Sequence, residues 1–207
     1  MKKILTGFAV MALVISAIAG ESLFGLAKSG TKEQVEQWIE DGADLDARDH
    51  VGVTPLIAAA ESNKNADVIA LLLDAGADAN ARDNIGRTAL MLAAQSNENF
   101  DVLLVLIDAG AMVVTQTESG TTPLMYAAGF NANPDSISLL LKEGAMVNAQ
   151  TKYGSSPILL AAGFNANAEI LSMLLDAGAS VELRDDRGRT PLMFAAANTE
   201  NLKIIAT

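Results

Sequence analysis

Five glycines, Gly42, Gly76, Gly110, Gly144 and Gly178, follow one another at intervals of 34 residues, and nearly everything else in the chain keeps step with them. Each ends an apolar run and precedes alanine, as in Leu71-Leu72-Leu73-Asp74-Ala75-Gly76-Ala77, Leu139-Leu140-Leu141-Lys142-Glu143-Gly144-Ala145 and Met173-Leu174-Leu175-Asp176-Ala177-Gly178-Ala179. A second series runs in the same register: Thr54-Pro55-Leu56, Thr88-Ala89-Leu90, Thr122-Pro123-Leu124, Ser156-Pro157-Ile158 and Thr190-Pro191-Leu192. A fixed period of this length specifies a solenoid, whose units bury their apolar faces only against their neighbours.

The unit that opens at Thr122 shows how one period folds. Threonine caps a helix, and Pro123 takes the first helical position, where its missing N–H is no loss. Leu124, Ala127 and Ala128 give this first helix an apolar face at spacings of three and four. The paired alanines, repeated as Ala59-Ala60, Ala93-Ala94, Ala161-Ala162 and Ala195-Ala196, permit close helix approach. Asn131 is expected to end the helix in the left-handed conformation, and Asn133-Pro134 to start the next one. The second helix runs through Ile137 and Leu139 to Leu141 and stops at Gly144. From Ala145 to Gly154 the chain is extended and turns back as a protruding, hairpin-like finger.

Helix, turn, helix and finger, marked by T-P-L, A-A and L-L-x-x-G-A in register, resemble the ankyrin repeat family over roughly residues 22–207. The resemblance implies an all-α solenoid of stacked helix-turn-helix units with β-hairpin-like fingers. Two departures stand out. The family period is about 33, and the extra residue here falls in the inter-helix loop, where Asn65, Asn99, Asn133, Asn167 and Asn201 recur. The family's T-P-L-H histidine is replaced by Ile57, Met91, Met125, Leu159 and Met193, so apolar packing must take its place.

The first 19 residues read differently. Lys2 and Lys3 precede an apolar stretch from Ile4 to Ile18, and Ala17-Ile18-Ala19 fits a small-x-small cleavage site, the pattern of a secretory signal peptide of bacterial type. The stretch is shorter than the ~20 residues of a spanning helix, and no cysteine follows it to carry a lipid. The expectation is a periplasmic or secreted protein beginning at Gly20, with no further membrane association. Removing residues 1–19 lowers the basic count from 14 to 12 against 25 acids, a net charge of −13. Such a surface repels nucleic acid and anionic membranes and favours a basic partner.

Within residues 20–207, a capping unit is expected at 22–47, with Lys32, Glu33, Glu36, Gln37 and Glu40 forming its polar outer face. Four full repeats follow at about 48–183, and a partial repeat at 184–207. Leu202, Ile204 and Ile205 would open a second helix in that last unit, and self-association through it is the expectation.

Little supports catalysis. With no cysteine and only His50, thiol nucleophiles, serine-histidine pairs and histidine or thiolate zinc sites are excluded by composition. Asp41, Asp44, Asp46 and Asp49 form the densest acidic cluster, but the matching stretch Asp78-Ala79-Asn80-Ala81-Arg82-Asp83 marks these as ordinary finger positions. No calcium-loop glycine or bidentate glutamate accompanies them. Neither cofactor nor metal is expected.

The units differ in their charge. Fingers one, two and five carry Arg48-Asp49, Arg82-Asp83 and Arg184-Asp185-Asp186-Arg187. Fingers three and four read Met112-Val113-Val114-Thr115-Gln116-Thr117-Glu118-Ser119 and Met146-Val147-Asn148-Ala149-Gln150-Thr151-Lys152-Tyr153. The same two units gain aromatics: Tyr126 and Phe130 share one helical face, and Phe164 repeats Phe130. The family resemblance implies that finger tips and first helices line a concave binding groove. Candidate protein-binding residues are therefore Tyr126, Phe130, Tyr153 and Phe164, with Glu118 and Lys152 on the finger tips. A second reading has Phe130 and Phe164 filling space beside the longer asparagine loop, since Gly129-Phe130-Asn131 and Gly163-Phe164-Asn165 are duplicates.

The sequence thus points to an exported, non-enzymatic module that binds another protein through its groove. Alternatives within that class are an inhibitor or immunity-type protein for a periplasmic toxin or enzyme, and a stabilising partner of a periplasmic enzyme. A carboxylate-dependent hydrolase is the rival from outside it.

Overall fold

A computed structural model describes residues 23–197. The expected signal segment and the side chains Leu202, Ile204 and Ile205 lie outside the described residues. Eleven helices follow in order: α1 (Leu23–Ser29), α2 (Lys32–Glu40), α3 (Pro55–Ser62), α4 (Ala66–Asp74), α5 (Ala89–Ser96), α6 (Phe100–Asp108), α7 (Pro123–Phe130), α8 (Pro134–Lys142), α9 (Pro157–Phe164), α10 (Ala168–Asp176) and α11 (Pro191–Ala197). Among the described residues there is no strand. The first helices α1, α3, α5, α7, α9 and α11 stack in one row and the second helices α2, α4, α6, α8 and α10 in another. The fold is the all-α solenoid of stacked helix-turn-helix units that the 34-residue register specifies.

Every first helix of a full unit starts the same way. Thr54, Thr88, Thr122 and Ser156 sit in extended backbone, and each hydroxyl accepts the N–H of Ile57, Met91, Met125 or Leu159. Those four residues occupy the family's histidine position and are fully buried, so apolar packing does replace the missing imidazole. The second helices are capped by Asn65, Asn99, Asn133 and Asn167, each of which accepts an N–H two residues on. They end in Schellman motifs: around Gly76 (φ 102°), the N–H of Ala77 donates to the Leu72 carbonyl and that of Gly76 to Leu73. Leu72, Leu106, Leu140 and Leu174 anchor this row in the core without exposure. Each such leucine contributes roughly 1.5–3 kcal/mol relative to leaving it in water.

The inter-helix loop departs from expectation. Asn131 does not adopt the left-handed conformation; it is extended at φ −95° and ψ 131°, and no non-glycine residue among those described has positive φ. Its side chain is put to another use. Asn63, Asn97, Asn131 and Asn165 are buried, and each amide reaches back one unit. Asn97 Nδ2 donates to the carbonyls of Ala60 and Asn63 at 2.9 and 3.0 Å, and Asn165 Nδ2 to those of Ala128 and Asn131 at 2.9 and 2.8 Å. Each Oδ1 accepts the N–H of the capping asparagine two residues on. Asn63, Asn97, Asn131 and Asn165 therefore build a ladder of buried amides up the solenoid, satisfying carbonyls that a first helix otherwise leaves orphaned at its end.

Candidate functional site

The fingers are joined to one another through backbone and side chain alike. Asn84 N donates to the Val51 carbonyl, Glu118 N to Ile85, Lys152 N to Ser119, and Asp186 N to Tyr153. Glu118, Lys152 and Tyr153 are thus held at their tips by hydrogen bonds between neighbouring fingers, with their side chains exposed. Within each finger one side chain closes the turn. Asp49 accepts the N–H groups of Val51 and Val53, Asp185 those of Arg187 and Arg189, and in finger four Thr151 accepts those of Tyr153 and Ser155. Burial pushes the carboxyls of Asp49 and Asp185 upward, but these hydrogen bonds, with Arg189 beside Asp185, hold both below the usual carboxylate range.

Finger four shows how charge is lost without losing bonds. Arg48 donates to the carbonyls of Gly52 and Arg82, bridging two fingers. Gln150 does the same at its own register position, donating to Gly154 at 2.9 Å and to Arg184 at 3.2 Å. In finger four neutral Gln and Thr therefore replace Arg and Asp while keeping the roles in the turn and the bridge; in finger three Thr117 keeps a turn bond by accepting the Thr121 N–H, and Gln116 donates no bridging bond among the described residues. The loss of the Arg-Asp pair from finger four is not dictated by the fold.

Next to these fingers, Tyr126 stands half-buried on α7. Burial raises its phenol above the ordinary tyrosine value; Arg87 opposes this and Asp83 adds to it. Arg87 and Asp83 are themselves paired at 2.6 Å. One turn further along α7, Phe130 is 54 % exposed, and Phe164 on α9 is 58 % exposed. Their rings stack across the two units with centroids 6.1 Å apart and planes 28° apart. The space beside the loop is taken by the Asn131 and Asn165 amides, so the phenyl rings face outward rather than fill the core. Beside the stacked pair lies an open hollow of ≈ 630 Å³ whose lining includes both rings, Ala132, Ala166 and Asn167.

Of the six candidate residues, then, the structure brings only Phe130 and Phe164 into ring contact among those described. Tyr153, Glu118 and Lys152 sit at the finger edge, and Tyr126 lies between the two groups along α7. The eight residues of α7 rise about 12 Å, so the candidates form a strip across the first-helix face rather than one pocket. Sequence reasoning missed the exposed Met112, Val114 and Met146 at the base of the neutral fingers. Their signal was present in the loss of Asp44, Asp46 and Asp78 from the matching positions.

Three overlapping stretches, 23–117, 65–151 and 124–207, match the family described as ankyrin repeats (3 copies). The chain belongs to the ankyrin repeat family. No curated protein matches it in sequence. Ankyrin repeats are generally protein–protein interaction modules and typically non-catalytic. In this ankyrin array, no helix among the described residues is long and apolar enough to cross a membrane.

Proposed function

We propose that this ankyrin array is an exported protein that binds a partner protein through the first helices and finger tips of its third and fourth units, and that the partner presents a basic surface. One observation carries the reading. Arg and Asp give way to Gln and Thr in fingers three and four, with the turn and bridge hydrogen bonds retained in finger four, and they do so where Tyr126, Phe130, Tyr153 and Phe164 emerge. Aromatics held on a rigid, less charged surface are the residue types that dominate protein interfaces. Acidic surroundings, from a net charge of −11 over the whole chain, steer a basic partner toward them.

The test is capture of a partner from periplasmic extract, followed by titration with variants. Protein recovered from the periplasm should begin at Gly20 by intact mass. Tyr126→Ala and Tyr153→Ala should each weaken the complex by on the order of 1 to 2 kcal/mol, with the melting temperature almost unchanged for the exposed Tyr153. Charge reversals in fingers one and two that abolish binding, with both tyrosine variants silent, would move the interface to the N-terminal end.

A further inference from the structure

The hollow beside the stacked Phe130 and Phe164 keeps the loop asparagines of the first two units but differs from the same place there at the positions of its phenylalanines and its alanines. Units one and two carry Ser62 and Ser96 where units three and four carry the two phenylalanines. Two residues on, units one and two carry Lys64 and Glu98, which pair across the loops at 2.5 Å, whereas units three and four carry Ala132 and Ala166. Large side chains have moved to the walls and small ones to the floor. A surface bridged by an ion pair in one half of the solenoid is an aromatic-walled hollow in the other.

The polar groups of the floor are already committed. Asn165 donates to two backbone carbonyls and accepts the Asn167 N–H. Asn167 donates to the Ala132 carbonyl at 3.0 Å and accepts the Glu169 N–H. A polar small molecule would find few fixed donors or acceptors to orient it, while an apolar group gains the exposed surface of the stacked phenyl pair. The charges closest in sequence are acidic: Asp135 and Glu169 are exposed, each two residues past a capping asparagine of these loops. At the position where Lys64 sits in unit one, these units carry alanine.

We propose that this hollow is an anchor site for one large aliphatic side chain of a partner protein, in a segment where lysine or arginine flanks that side chain. The proposal rests on reading the first-helix face as a binding surface, and it specifies the partner chemistry at the loop edge of that face. The anchor packs against the outer surface of the stacked Phe130–Phe164 pair, over Ala132 and Ala166, and the flanking cations face Asp135 and Glu169.

Nuclear magnetic resonance titration of the mature chain tests it with three synthetic peptides: a leucine flanked on each side by two lysines, the same peptide with central alanine, and the leucine peptide with glutamates for lysines. The lysine-leucine peptide should shift the amides of Gly129, Ala132 and Asn165 to Asn167. The alanine-centred peptide should bind at least about tenfold more weakly, as expected for three fewer buried carbons, and the glutamate peptide should not bind.

Two variants supply the control, because each installs residues that the fold already accepts in this register. Phe130→Ser with Phe164→Ser copies units one and two, and Ala132→Lys with Ala166→Glu recreates the closing ion pair. Both should retain the native melting transition and lose the peptide shifts. Equal binding of leucine and alanine peptides, equal binding of the glutamate peptide, or shifts that survive Ala132→Lys with Ala166→Glu would each overturn the proposal. A captured partner that is released by Tyr126→Ala and Tyr153→Ala yet held by Ala132→Lys with Ala166→Glu rejects the anchor site alone. Peptide binding in the hollow, with a partner indifferent to both tyrosine variants, instead supports the anchor and rejects the wider groove.

Discussion

Replacing Asn97 by alanine should destabilise the solenoid by about 3 kcal/mol, since it removes three hydrogen bonds of roughly 1 kcal/mol each at a buried site. The two donated bonds reach the carbonyls of Ala60 and Asn63, and the accepted one comes from Asn99 N. Asn97 is buried, so water cannot readily reclaim its partners. Asn99→Ala is the comparison. Asn99 caps α6 and donates to the Lys64 carbonyl at a more exposed position, and its loss should cost about 1 kcal/mol. Urea denaturation monitored by circular dichroism measures both. Because Asn97 ties unit two to unit one in a one-dimensional array, its loss should also separate the transition of the N-terminal units from that of the rest. Similar losses for the two variants would mean that the amide ladder is no more than capping.

The contrast between these two asparagines marks how far the sequence was legible. Asn99 announces itself, since an asparagine just before an apolar helix caps it whatever the tertiary surroundings. Asn131, one unit on from Asn97, gives an ambiguous local signal. Asparagine at a helix end serves either a left-handed turn or a hydrogen bond from its side chain, and only the neighbouring unit decides. Here the decision comes from the Ala94 carbonyl, 37 residues earlier in the chain. The terminal glycines, the threonine caps and the buried substitutes for the histidine were all legible because their causes are local or periodic.

The candidate site divides along the same line. Charge loss and aromatic gain in units three and four could be read directly. That Gln150 and Thr151 preserve the finger bonds could not, since it depends on the carbonyls of Gly154 and Arg184. The outward stacking of Phe130 and Phe164 was equally hidden. Duplicate Gly-Phe-Asn stretches fit core packing or surface display alike, and what settles the matter is that the asparagine amides already occupy the interior.

Gly154→Ala should be among the most damaging single substitutions in the fingers, and Gly144→Ala shows why. Both glycines have positive φ, 74° and 88°, so alanine is strained by about 1–2 kcal/mol at either. At Gly144 an added Cβ meets open space. At Gly154 it would lie 2.7 Å from the Arg184 carbonyl oxygen and 2.8 Å from Asp185 Cα, which are backbone atoms of the next finger and cannot rotate away. Fingers four and five must therefore part, and the hydrogen bond from Asp186 N to the Tyr153 carbonyl at 2.9 Å goes with them. The total should reach about 3 kcal/mol or more, against about 1–2 kcal/mol for Gly144→Ala. Native-state hydrogen exchange gives the local readout: the Asp186 amide should lose its protection in Gly154→Ala and keep it in Gly144→Ala. Because Tyr153 and Lys152 ride on the displaced finger, partner affinity should fall with Gly154→Ala and hold with Gly144→Ala. Unchanged affinity in a Gly154→Ala protein whose Asp186 amide has opened would place Tyr153 outside the interface.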